Sequence, residues 1–287
     1  MLGWPTWDQA ASVALVSAVG AVVARRSRSS RIGAVVLPAA RELTLIASLY
    51  TLWQLAHFLP LAHDQGAIGR ARQIVSFERW LHLPTELSLQ HLVLRNDWVG
   101  RATSLYYGTV HVPALVAFIV WLYVRHRNEY PRWRNALVIV TGFSLLIRFV
   151  RVAPPRFLTD LGYIDLSERY GPSVYGPVGT GISDQFAAMP SIHVGWAAVV
   201  GVGVLATTTS RWRWVVALHL PLTILVVSAS GHHWWMDGAV AIGLLGVGLE
   251  ADTVGRRAAD ALRGKWGRKP VGDPVPEDDP HPALTSR

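Results

Sequence analysis

The chain contains no cysteine, which excludes disulfides, thiolate nucleophiles and thiolate-held metals. Charge is scarce as well: Asp, Glu, Lys and Arg make up 16% of the 287 residues, against roughly a quarter in soluble globular domains. Acidic residues are the rarer sign, 19 against 27 basic, leaving a formal charge of +8. No lysine or arginine precedes the first apolar run, where the only charge is Asp8, and Arg25, Arg26, Arg28 and Arg31 come after it. A secretory signal carries positive charge ahead of its apolar stretch. The run therefore reads as a retained helix whose C-terminal end faces the cytoplasm.

What the chain has in abundance is apolar sequence, 51% of residues, with a mean hydropathy of +0.28. Crossing a bilayer takes about 20 such residues. Runs of about that length fall near 5–24, 39–61, 101–124, 133–153, 190–208, 213–230 and 234–252. The expected fold is all-α, a polytopic transmembrane bundle of about seven spans, six of them forming the core. Residues 1–38 supply an extra span and a cytoplasmic linker, 39–254 the main membrane domain, and 255–287 a cytoplasmic, largely disordered tail. Threading the spans alternately with the N-terminus outside puts eighteen of the 27 basic residues on the inner side, as the positive-inside rule requires. The basic balance thus reflects topology and an anionic inner leaflet. Nucleic-acid binding is excluded, since no basic patch sits on a soluble module. Tryptophan supports a membrane: Trp4, Trp7, Trp53, Trp80, Trp98, Trp133, Trp212, Trp214, Trp234 and Trp235 fall near span ends or in an outer segment, where interfacial rings belong.

Two outer segments are long. In 62–100, "GAIGRARQIVSFERWLHLPTELSLQHLVL" mixes apolar and polar residues at helical spacing and is broken at Pro84. It predicts two short amphipathic helices on the membrane surface, or a cap over a site. Segment 154–189, with Gly171, Pro172, Gly176, Pro177, Gly179 and Gly181, predicts a long irregular loop. The glycine patterns at 201–206 and 243–248 lack the strand-to-helix context of a nucleotide loop; small residues such as Ala239 and Gly243 read instead as helix-packing positions.

Three polar clusters fall on the same outer face: "RFVRVAPPR" (148–156), "AAMPSIHVGWA" (187–197) and "SGHHWWMDGAV" (230–240). His233 and Asp237 are spaced to meet on one helix face. A carboxylate bonded to one imidazole nitrogen fixes the tautomer and leaves the other nitrogen basic. Such an imidazole serves as nucleophile or base, although an interfacial hydrogen bond is the plain alternative. Pro190 suits a first helical turn, whose free N–H groups make an anion site; Ser191 adds a hydroxyl and His193 a proton, or the pair is merely a helix cap with an interfacial histidine. Arg156, held by two prolines, offers a planar fork matched to phosphate oxygens. Arg148 and Arg151 lie one turn apart before it and either face the same pocket or reach for lipid headgroups. A metal site built on His193, His232, His233 and Asp237 is disfavoured because Arg156 would add a repelling charge.

On these residues the sequence resembles the type-2 phosphatidic acid phosphatase superfamily, over roughly 40–252. Of its signatures, Pro-Ser-x-His stands intact as Pro190, Ser191 and His193, and the His-x3-Asp core of another stands as His233 and Asp237. The remaining signature cations are absent: Phe149 stands seven before Arg156, and Val227 where an arginine is usual. "APPR", "GHHWWMD" and "ERWLHLPTELSLQ" look like the branch holding inositol-phosphorylceramide synthase and its bacterial relatives. The resemblance implies that His233, oriented by Asp237, forms a phosphohistidine while His193 protonates the leaving alkoxide. Arg156 and Ser191 would bind the phosphate, with Arg148, Arg151 or His232 replacing the missing cations. It implies no metal and no cofactor. The implied substrate is a lipid phosphate in the bilayer, at the outer face of the cell membrane; the acceptor is water, or an alcohol such as inositol. A non-enzymatic lipid binder or transporter is the reading from another class. Oligomeric state is not encoded in these motifs.

Overall fold

A computed structural model describes residues 6–26, 30–55, 66–171 and 186–267. Trp4, residues 56–65, the Pro172, Gly176, Pro177, Gly179 and Gly181 positions of the second outer segment, and the polar tail beyond 267 lie outside the described residues. Among the described residues the chain is helical without strands, apart from one parallel bridge between Val152 and Ala187.

The helices are α1 (Trp7–Arg26), α2 (Arg31–Leu55), α3 (Ala67–Trp80), α4 (Glu86–Leu94), α5 (Asp97–Thr109), α6 (His111–Arg125) and α7 (Tyr130–Ile147), followed by α8 (Leu166–Tyr170), α9 (Ile192–Thr207), α10 (Arg213–Ala217), α11 (His219–Ala229) and α12 (Trp235–Gly267). Three stretches are long and apolar enough to cross a membrane, Trp7–Arg26, Val35–Leu55 and Trp235–Arg263, and α5 with α6 pass together. Exposed valines, leucines and isoleucines cover α1 and α2, as expected of faces turned to lipid rather than water. α9 is the hub. It packs against α6, α7, α10, α11 and α12, and Phe118, Leu122, Trp133, Val140, Val199, Val200 and Leu245 form the largest apolar cluster around it.

Two expected spans are broken, and proline accounts for both. An α-helix bonds each N–H to the carbonyl four residues back, which proline cannot do. Pro113 deprives Thr109, where α5 ends, and α6 leaves at 47°. Pro221 likewise deprives Ala217, where α10 ends before α11 begins. The segment 62–100 holds the two expected short helices, α3 and α4, with Pro84 in the break between them. Thr85 caps α4 by accepting from the Ser88 N–H. α12 continues to Gly267, well past the end expected at 252.

Two expectations fail in detail. Trp133 and Trp234 are each only 1% exposed: they are core residues, not interfacial anchors, and the Trp234 indole donates to the Ala153 carbonyl at 2.9 Å. By contrast Trp80, Trp98, Trp212 and Trp214 are well exposed. Ala239 and Gly243 lie on the outer face of α12. The close approaches are made by Gly238 against Val194 and Gly248 against Ala136 and Ile139. Gly201 and Gly203, once the nucleotide-loop look-alike, sit inside α9 against Leu220 and Phe118.

Candidate active site

The three clusters meet. Arg156 sits in a single 3-10 turn, Pro155–Phe157, and its backbone N–H donates to the Gly231 carbonyl at 3.0 Å. That contact ties "APPR" to "GHHWWMD". Gly231 is needed there: its φ is +80°, and a Cβ would lie 2.7 Å from the Ile164 carbonyl oxygen. Ser191 N–H donates to the Asp237 carbonyl at 3.2 Å, which ties the start of α9 to the start of α12.

His233 precedes α12 rather than standing on it, so its meeting with Asp237 is not a contact along one helix face. Asp237 instead reaches back, its Oδ2 accepting from the Trp234 N–H at 2.9 Å and lying 3.3 Å from His233 Nδ1. A nearer acceptor also faces Nδ1, the Ala188 carbonyl at 2.8 Å. Both neighbours of Nδ1 can only accept, so the hydrogen resides on Nδ1 and Nε2 keeps its lone pair. Nε2 points to His193 Nδ1, 3.4 Å away. This is the tautomer a nucleophilic imidazole needs.

Ser191 is wholly buried as the N-cap of α9, its oxygen accepting from the Val194 N–H at 3.3 Å. The cap occupies one lone pair of the oxygen and leaves the hydroxyl proton to donate. His193 follows in the first turn, with the Tyr107 ring 4.9 Å and the His111 ring 5.0 Å from its own.

His232 is buried beside them. Its Nδ1 lies 2.9 Å from Ser230 Oγ, its Nε2 3.7 Å from Asp165, and its ring stacks on Tyr107 at 4.3 Å. Asp165 also pairs with Arg156, Oδ2 to Nε at 3.3 Å. At Val227, where the related signature has arginine, the backbone carbonyl accepts from the N–H groups of both His232 and His233. Arg148, at the end of α7, and Arg151 are half-buried. The Arg151 carbonyl accepts from Arg70 Nε at 2.6 Å.

Sequence reasoning missed Asp165, Tyr107 and His111. Asp165 had one readable signal, since it precedes "LSE" as a helix cap and accepts from the Ser167 and Glu168 N–H groups. Nothing in the sequence pairs it with Arg156. Also missed were Glu78 and Glu86, both buried. Met236 N–H donates to Glu78 at 2.9 Å and Trp235 N–H to Glu86 at 3.0 Å. Burial, followed by the neighbouring Glu86 carboxylate, pushes Glu78 up to about 9; burial raises Glu86 too.

Basic Nε2, an imidazole facing it, and a guanidinium carried on the same turn network make a set suited to phosphoryl transfer. A family model described as the PAP2 superfamily matches residues 72–251, a range that starts inside α3 and leaves α1 and α2 outside. No curated protein and no solved structure matches the chain.

Proposed function

The chain belongs to the PAP2 superfamily, a family of phosphatases and phosphotransferases acting on phosphoesters, and from that premise we propose a membrane-embedded lipid phosphate phosphatase. It works through a phosphohistidine on His233 at the extracytoplasmic face. The observation that carries the reading is the Nδ1–H of His233, held by the Ala188 carbonyl and Asp237, with its lone-pair nitrogen turned to His193.

In the first step the Nε2 lone pair forms a bond to phosphorus while the bond from phosphorus to the lipid-side oxygen breaks. His193 supplies the proton to that departing oxygen. The Arg156 guanidinium, the Ser191 hydroxyl and the free N–H groups opening α9 bind the equatorial oxygens as charge gathers there. Arg148 and Arg151 are the further cations proposed for this phosphate. His232, its Nε2 3.7 Å from the Asp165 that pairs with Arg156, is the third group proposed to face the phosphate. In the second step His193 takes a proton from water, the water oxygen bonds to phosphorus, and the bond to Nε2 breaks. In-line transfer places phosphorus between the two rings, with reacting atoms about 3–3.5 Å apart. The 3.4 Å nitrogen–nitrogen distance is too short to hold it, so substrate entry separates the pair.

The likeness of "APPR" and "GHHWWMD" to inositol-phosphorylceramide synthases favours a second reading, transfer to an alcohol such as inositol in place of water. Phosphatidic acid in micelles, assayed with the purified protein with and without inositol, separates the two. Free phosphate independent of inositol supports the phosphatase. Product formed only with inositol supports the transferase, and no turnover of either kind supports a lipid binder or transporter.

A further inference from the structure

The segment 78–90 has no role in the chemistry above, yet its side chains reach the start of the catalytic helix. Three successive backbone N–H groups open α12, and each donates to a different carboxylate: Trp234 to Asp237 at 2.9 Å, Trp235 to Glu86 at 3.0 Å, and Met236 to Glu78 at 2.9 Å. These are the donors that no intrahelical carbonyl can satisfy. Two of the three carboxylates come from other helices, more than 140 residues away in sequence. The Trp235 indole adds a bond to the Pro84 carbonyl at 2.7 Å. The break between α3 and α4 thus grips the turn that carries His233.

Glu78 is 5% exposed and Glu86 2%, and they neighbour one another. Two buried carboxylates side by side cannot both ionise cheaply. The groups facing them are Tyr163, whose hydroxyl donates to Glu86 at 3.3 Å, and Asp237 of α12; Arg79 lies next to Glu78 on α3. We propose that Glu78 and Glu86 are positioning residues that share one proton and hold the start of α12, and with it His233, in register for attack. This rests on the phosphohistidine reading above. The shared proton sits between the two carboxyls, so each keeps an oxygen for its N–H while only one negative charge faces the positive end of the helix.

The test compares wild type, E78A and E78Q in detergent. Turnover of phosphatidic acid is followed from pH 6 to pH 10, and amide hydrogen exchange at 235–236 is measured in the same samples. E78A should lower kcat about tenfold to a hundredfold with KM little changed, the cost of a misplaced nucleophile. It should also speed exchange at 235–236 by about tenfold, the loss of one hydrogen bond. E78Q keeps an acceptor for Met236 and a donor for Glu86, so it should restore both readouts. Glu78 titrates upward of its usual range, so its proton is present at neutral pH and lost as pH rises. The wild type should therefore lose rate on the alkaline side, and E78Q should not. Wild-type kcat and exchange in E78A, failure of E78Q to restore them, or an identical alkaline decline in wild type and E78Q would each overturn the proposal. Wild-type protein without turnover would contradict the functional reading instead, and the exchange arm would still decide the positioning.

Discussion

Nδ1 of His233 faces two acceptors of unequal reach, the Ala188 carbonyl at 2.8 Å and Asp237 at 3.3 Å. The residue-scale consequence is graded. H233A removes the nucleophile and should lower turnover by about 10⁴-fold or more. D237N leaves the Ala188 carbonyl to hold the ring, so it should cost about tenfold to a hundredfold. Steady-state rates of the two purified variants check both, and equal losses would mean that the carbonyl contributes nothing. Local spacing suggested the histidines, Ser191, Asp237 and Arg156 while misplacing two of their supports: His233 stands before α12 rather than on it, and Pro190 stands before the Ser191 cap of α9 rather than in its first turn. Asp165 was not legible. It reaches Arg156 across the turn that closes at Gly162, and such a turn leaves no periodic trace.

Among the elements, the short ties around 231 and 90 hold the site more than any helix face does. Gly231 has φ +80° with the Ile164 carbonyl closing off its Cβ position. G231A should therefore destabilise the protein by about 2 kcal/mol or more and release Arg156 from its backbone bond. Gln90, 1% exposed, donates to the Ile164 and Ala229 carbonyls and accepts from the Ile164 N–H. Q90A strips all three and should cost about 2–4 kcal/mol; thermal unfolding in detergent reads both variants. Helix existence was plain from the apolar runs, and so was the pair α3–α4 split at Pro84. The breaks after Thr109 and Ala217 were readable only by counting four residues back from Pro113 and Pro221. Hydropathy averages over such a window and hides them. Trp133 and Trp234 misled for a related reason: tryptophan is as much at home in a core as at an interface, and composition cannot separate the two.

For the molecule in its bilayer, the proposed arrangement is an asymmetric bundle, with most of the basic residues on the cytoplasmic side and the histidine pair, together with Arg156, on the other. The absence of cysteine makes this directly testable, since any single introduced thiol is the only one. T159C, near Arg156, should react with a membrane-impermeant maleimide on intact cells. T209C, in the turn between α9 and α10, should react only after permeabilisation. Reversed labelling would put the site on the cytoplasmic side. The α1–α2 pair precedes the family match and exposes apolar residues along both helices, so its sequence was legible as membrane-crossing while its purpose was not.

The most direct test of the account is to locate the covalent intermediate. Protein mixed with phosphatidic acid, stopped in alkali to preserve phosphoramidate bonds and digested, should carry phosphate on the peptide holding His233. The label should vanish in H233A and form much more slowly in H193A, which lacks the proton donor of the first step. Turnover persisting in H233A, or phosphate found on another residue, would contradict it.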